Sequence, residues 1–319
     1  MNRIERVTTV LNGGRPDVVP AGFWYHYQES FDTSRMAQEH IKTFREIDVD
    51  VYKVMQDYIQ VIDTKVKTPS DWNEVRFPGC SSTVYQKLLD VVKRILDTTG
   101  HDALLFQTMF SPLKTAVQNY GYDLIMAHSR ECPDVMAAAV LRIAEAQMEW
   151  AAGFIESGAD GIFYAGQFSE PGRFTKDEFD KLAAAGDHIV LNAVQQSGGR
   201  RILHICGEPD YDYRSTPEWY TNYSFDIVNW SVKDTGLSLS DGRKLFGGRP
   251  VLGGMNNRGN ILSGDEDAIR EEVNSMISSA DTLDGYMLGA DCTIQGENIS
   301  NKKIRVAVDA AHAYRTENH

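Results

Sequence analysis

Long apolar runs are missing from this 319-residue chain, in which nothing approaches the ~20 consecutive apolar residues that a membrane-spanning helix needs. Met1 to Pro20 also lacks the apolar stretch and small-residue cleavage site of a secretory signal. The expectation is a cytoplasmic protein with no membrane partner. Cysteine is scarce: 4 in a chain of this length are too few for a disulfide scaffold, and in a reducing compartment they stay thiols, open to metal. Clustered positive charge is absent too. Lys and Arg number 32 against 45 Asp and Glu, for a formal net charge of -13, and no long basic run offers a footprint for a phosphate backbone, so nucleic acid is not an expected partner. Neither Gly-x-Gly-x-x-Gly after the first strand nor Gly-x-x-x-x-Gly-Lys-Ser/Thr occurs, which removes support from a nucleotide-binding, doubly wound sheet.

What is present is a regular alternation of short β-branched or aromatic runs with longer amphipathic stretches, the pattern of parallel strands joined by crossover helices. Eight strands are expected: Val18 to Tyr25, Val49 to Met55, Ala103 to Phe110, Gly161 to Ala165, Arg201 to Cys206, Ile227 to Ser231, Val251 to Met255 and Tyr286 to Gly289. Helical spacing covers Thr33 to Arg45, Ser82 to Thr98, Pro133 to Ser157, Lys176 to Gln196, Ser238 to Phe246, Asp265 to Ser279 and Ser300 to Tyr314. Eight such units predict a single-domain (β/α)₈ TIM barrel over residues 1–319, of the α/β class. Asp57 to Ser81 is the longest irregular stretch and reads as a lid or a β-hairpin over one end.

Three residues carry metal chemistry in their type and spacing. His204 and Cys206 alternate on the fifth strand and so project from one face. Cys292 lies just past the eighth strand, and chemistry in such barrels gathers at the C-terminal ends of the strands. Imidazole and thiolate suit zinc, and three protein ligands leave a fourth position for a reacting molecule. The competing reading makes His204 a satisfied core histidine and the two cysteines small buried hydrophobes. Cys80, in a loop-like segment, and Cys132, before Pro133 at a helix start, are assigned to structure.

Asp291, Glu208 and Gln167 are the candidate catalytic polar groups. The two acids adjoin the ligands and either fill the fourth metal position or hold the His204 ring, with solvated loop residues as the alternative. Gln167 follows the fourth strand, where its amide would orient a substrate or bond loop backbone. Trp24, Tyr25, His26, Tyr164 and Asn256 complete a candidate substrate pocket of aromatic character, with Tyr27 and Trp230 as further rings. For each, packing, turn or loop roles stand beside the functional one.

The chain resembles the uroporphyrinogen decarboxylase superfamily over nearly its whole length. The resemblance is carried by Asn2-Arg3-Ile4-Glu5-Arg6 through Arg15-Pro16-Asp17-Val18-Val19-Pro20-Ala21, by Phe110-Ser111-Pro112-Leu113 and by Gly158-Ala159-Asp160-Gly161-Ile162. It continues in Leu203-His204-Ile205-Cys206-Gly207, Gly253-Gly254-Met255 and Gly289-Ala290-Asp291-Cys292. Decarboxylases of that family carry an arginine-rich segment after the first strand that grips substrate carboxylates. This chain reads Phe23-Trp24-Tyr25-His26-Tyr27-Gln28 there, and a polyanionic substrate would be poorly held. His-x-Cys with a distant Cys is similar instead to the zinc-dependent corrinoid methyltransferase branch. The resemblance implies zinc on His204, Cys206 and Cys292, and methyl transfer between methylcobalamin, or a corrinoid on a partner protein, and a small thiol, thioether or methyl ether. A homodimer is compatible with the sequence. A cofactor-free decarboxylase and a non-catalytic barrel that binds a corrinoid protein are the alternatives.

Overall fold

The computed structural model describes residues 1–27, 32–297 and 299–315, so Gln28 of the aromatic segment lies outside the described residues. Eight parallel strands run β1 (Ala21–Gly22), β2 (Val51–Val54), β3 (Leu104–Phe110), β4 (Gly161–Gly166), β5 (Arg200–Ile205), β6 (Ile227–Trp230), β7 (Val251–Met255) and β8 (Tyr286–Ala290). They pair in the order β1-β8-β7-β6-β5-β4-β3-β2, and helices cover the outside. This is the (β/α)₈ barrel expected from the alternation.

The first strand is far shorter than the expected Val18 to Tyr25. Pro16 and Pro20 have no N–H to give to a ladder, and the N–H of Ala21 goes to the buried Asp50 carboxylate at 2.9 Å. Asp50 also meets Arg6 at 2.6 Å and His312 at 2.8 Å, and its own N–H donates to Ala21 O at 2.8 Å. One carboxylate and one backbone bond thus join β1 to β2, where the other neighbouring strands pair along a ladder.

Alternation along the strands separates two cores. Val51, Leu104, Phe106, Phe163, Ile202, Ile227, Leu252 and Met287 fill the bore, closed at its N-terminal end by Val7 and Val10 of the helix Arg3–Leu11. Tyr52, Leu105, Tyr164, Leu203, Val228, Trp230 and Leu288 face the helices instead. Asn2 and Glu5 form a capping box that starts the plugging helix, a helix the periodicity did not predict.

Two further helices, Pro112–Tyr120 and Tyr122–Glu131, were also not expected. Their signals are local: Ser111 accepts from Lys114 N with Pro112 at the first turn, and Gly121 separates the pair. Lys176 to Gln196 is helical as read, but holds a π turn at Asp180–Ala184. Asp57 to Ser81 forms no hairpin. It carries a 3-10 turn, Pro69–Glu74, whose buried Trp72 donates Nε1–H to His128 Nδ1 at 2.9 Å and gives its carbonyl to Arg142 at 2.5 Å. These ties hold the segment against helices in place of a strand pairing. Among the described residues, no helix is long and apolar enough to cross a membrane.

Candidate metal centre

Register fixes which residues look into the bore. His204 pairs with Ala165 on one side and Asn229 on the other, and neighbours in a parallel ladder share a face. His204, Ala165 and Asn229 therefore point inward. Leu203, with Tyr164 and Val228 beside it, points outward.

Cys206 follows β5 on the His204 face, and Cys292 arrives from the end of β8. Their sulfur atoms are 3.9 Å apart, and Cys292 Sγ lies 3.4 Å from His204 Nε2. All three donor atoms fall within 4.8 Å of one another. A tetrahedral zinc ion with ordinary bond lengths separates two sulfurs by about 3.8 Å and sulfur from nitrogen by about 3.6 Å, so the donor set fits such an ion.

Asn229 strengthens that fit, and sequence reasoning missed it. Its Nδ2 donates to Leu252 O at 2.6 Å and Ala290 O at 3.0 Å, which leaves Oδ1 facing His204 Nδ1. An amide oxygen only accepts, so Nδ1 carries the ring proton and Nε2 presents its lone pair to the sulfurs. The ring also tilts over Phe163, with centroids 5.4 Å apart. This was the role expected of Glu208 or Asp291, and neither fills it. Glu208 is paired with Lys114 at 2.8 Å. Asp291 accepts from Ser231 Oγ at 3.0 Å and Lys233 N at 3.2 Å, behind the strand ends. Burial raises its carboxyl to about 6.

The thiols share a hydrogen bond that sets their acidities against each other. The contact from Cys206 lowers the Cys292 thiol, and the same contact raises Cys206. Gly207 keeps this end of β5 in place: a Cβ there would stand 1.7 Å from Tyr213 O, so the loop closes over the site only because residue 207 has none.

The donors open into a cavity of about 460 Å³ at the C-terminal end of the barrel. His26, Gln167, Glu208 and the three candidate ligands line it together. His26 Nδ1 meets Asp57 at 2.6 Å, and among the described residues the buried Gln167 Oε1 atom has no hydrogen-bond partner. Phe168, next in the chain, adopts a positive φ of 78° as the backbone turns off β4.

Other expected pocket residues lie elsewhere. Tyr164 is buried on the outer face and donates to Asp187 at 2.6 Å, one residue out of phase with the bore. Trp230 is likewise outward, donating to Leu237 O at 3.0 Å. Tyr25 hydrogen-bonds Thr43 and Asn301 beside a separate surface hollow. Asn256 caps its own turn, its Oδ1 accepting from Arg258 N at 3.0 Å. Trp24 lies in the inner core, its ring 4.9 Å from Phe163.

The structure adds Lys53 to the lining, a residue the sequence did not single out as functional. It is inward on β2 between Val51 and Met55, and burial pulls its ammonium down to about 7. Periodicity alone could have flagged it, as a lysine at an interior position of a buried strand.

Comparison with known proteins gives one family and several shared folds. Residues 45–314 match the family model described as uroporphyrinogen decarboxylase (URO-D). No curated protein matches the sequence significantly. Among solved structures, a methyltransferase from Methanosarcina mazei is 17% identical, with a TM-score of 0.80 over 98% of each chain. A B12-independent methionine synthase from Shewanella sp. W3-18-1 is 11% identical, with a TM-score of 0.59 over 93% of this chain and 92% of its own. An endo-1,4-beta-mannanase from Rhizomucor miehei reaches 0.55 at 10% identity, over 94% and 95%. At such identities these likenesses establish a common barrel and nothing finer.

Proposed function

We propose, from the premise that this chain belongs to the uroporphyrinogen decarboxylase family, that it is a zinc-dependent methyltransferase. It would move a methyl group between a corrinoid carried by a partner protein and a small thiol, thioether or methyl ether. The observation that carries this reading is the meeting of His204, Cys206 and Cys292 within 4.8 Å, with the imidazole tautomer set by Asn229. The similarity in fold to a methyltransferase agrees with it. A decarboxylase acting on a polyanion has less support, because no arginine lines the cavity among the described residues.

Zinc bound to this donor set supplies Lewis acidity, which makes a thiol in the fourth position give up its proton or polarises an ether or thioether heteroatom. The chain's own residues do the rest. His204 Nε2 and the two sulfurs would hold the ion at the edge of the cavity that they line, with room there for a substrate heteroatom. Asn229 holds the imidazole in one orientation with Nε2 aimed at the sulfurs, so the position of this donor is fixed by the fold. Phe163, Phe110 and Ala165 wall the cavity with apolar surface that would exclude water from a methyl group in transfer. Gln167 offers its amide to a polar group of the substrate.

The test begins with metal content. Protein purified without added zinc should hold about one zinc per chain, and Cys206→Ser with Cys292→Ser should remove it. Methyl transfer is then followed by cobalamin absorbance, with methylcobalamin and a thiol acceptor. Zinc bound with no change in corrinoid methylation for any thiol, ether or thioether would overturn the methyltransferase reading, and metal-free wild-type protein would overturn the centre itself.

A further inference from the structure

The cavity has a second polar end, away from the three donors. Going round the barrel, the candidate ligands come from β5 and the end of β8, whereas β2, β3 and β4 form the facing wall. On that wall lie Lys53, Thr108 and Gln167, which are 4%, 3% and 4% exposed. Among the described residues, Thr108 Oγ1 and Gln167 Oε1 have no hydrogen-bond partner, and the hydrogen bond of Lys53 Nζ goes to sulfur and not to a carboxylate. Its Nζ hydrogen-bonds Met55 Sδ at 2.9 Å and stands 4.4 Å over the Phe163 ring and 5.0 Å over that of Trp24.

A buried ammonium without a directly bonded anion is costly, and two ring faces offset it only in part. Nearby acids are already committed. Asp57 serves His26 and the Tyr27 N–H, and Glu208 serves Lys114, the other lysine of the lining. Asp57 and the cysteine sulfurs act on Lys53 only at longer range, and a zinc ion would take up the charge of the sulfurs. An acidic chain with a net charge of -13 has therefore kept a buried lysine with no directly bonded carboxylate on the wall of its cavity, and an unpartnered hydroxyl on the same wall.

We infer that Lys53 and Thr108 form a seat for a single carboxylate, so that the small molecule methylated or demethylated here is a monoanionic acid. Its sulfur or oxygen lies at the metal and its acid group at β2 and β3. This deepens the methyltransferase reading and rests on it for the metal end, while the seat itself stands on residues that are not metal ligands. It differs from the grip on several carboxylates expected of an arginine-rich loop, because one lysine matches one charge. The ammonium and the hydroxyl each donate to the oxyanion, and a neutral isostere would leave both unpaired.

The test compares mercaptopropionate with mercaptopropanol by calorimetric titration of zinc-loaded protein. The acid should bind at least about tenfold more tightly, as one charge-assisted hydrogen bond predicts. Lys53→Met should abolish the preference and leave the alcohol's affinity within about twofold. Thr108→Val should reduce the preference and serves as the second variant should Lys53→Met fail to fold. Equal affinities in the wild type, or an unchanged preference in Lys53→Met, would overturn the seat while thiol binding at zinc still upheld the metal reading. Butyrate and butanol, titrated into protein stripped of metal, separate the other case. Butyrate binding lost in Lys53→Met supports the seat even where zinc or methyl transfer is absent, and butyrate binding no better than butanol counts against it.

Discussion

At the scale of single residues, the site depends on an amide the sequence left unremarked. Asn in a strand is an ordinary residue, and nothing in the run Ile227–Trp230 marks Asn229 until the β5 and β6 register sets it beside His204. His204, Cys206 and Cys292 were legible because imidazole and thiolate are chemically distinctive and both strand ends fall at one mouth. Their partner was not, because its role is a matter of direction, set by two carbonyls on β7 and β8. Asn229→Leu should lower zinc affinity by about 10–100-fold, the usual effect of losing the group that orients a ligating histidine. Competition with a coloured chelator measures it, and an unchanged affinity would show that the tautomer needs no such help.

At the scale of elements, the sequence placed β4 correctly yet put Tyr164 on the wrong side of it. A four-residue apolar run in a strand buried on both faces has no polar alternation to reveal its phase, so only pairing with β5 shows that Phe163 and Ala165 face the bore. Tyr164 instead helps pin β4 to the helix Ala185–Gln196, sharing Asp187 with Tyr223 at 2.6 and 2.8 Å. Burial pushes the Asp187 carboxyl up to about 7, against an ordinary value of 3.8. The folded protein then holds a proton that the unfolded chain has released, so this group's contribution to stability is complete below about pH 4 and is lost as pH rises toward 7. The melting temperature of Asp187→Asn should fall less steeply than that of the wild type across that window, as differential scanning fluorimetry at stepped pH can show. A parallel slope in both proteins would mean that the carboxylate is already ionised at low pH.

At the scale of the molecule, eight alternating units were enough to specify the barrel, since repeated parallel strands with crossover helices have few other ways to close. The helix Arg3–Leu11 escaped because it plugs the bore instead of joining two strands, a job with no counterpart in the repeat. Metal at the site would tie the end of β5 to the end of β8, three strands apart round the ring. Zinc should therefore raise the melting temperature by an amount that grows with the logarithm of its free concentration, and Cys292→Ser should remove the shift. The join of β1 and β2 gives the cylinder a different property. Held there by the Asp50 carboxylate, with Arg6 and His312 behind it, the wall is a cuff with a clasp and not a welded tube. Amide exchange at Ala21 and Val51 should outpace that at Phe163 and Leu203, and Asp50→Asn should speed it further. Exchange of that kind would let the bore adjust its width to a guest along one line while its ladders stay intact.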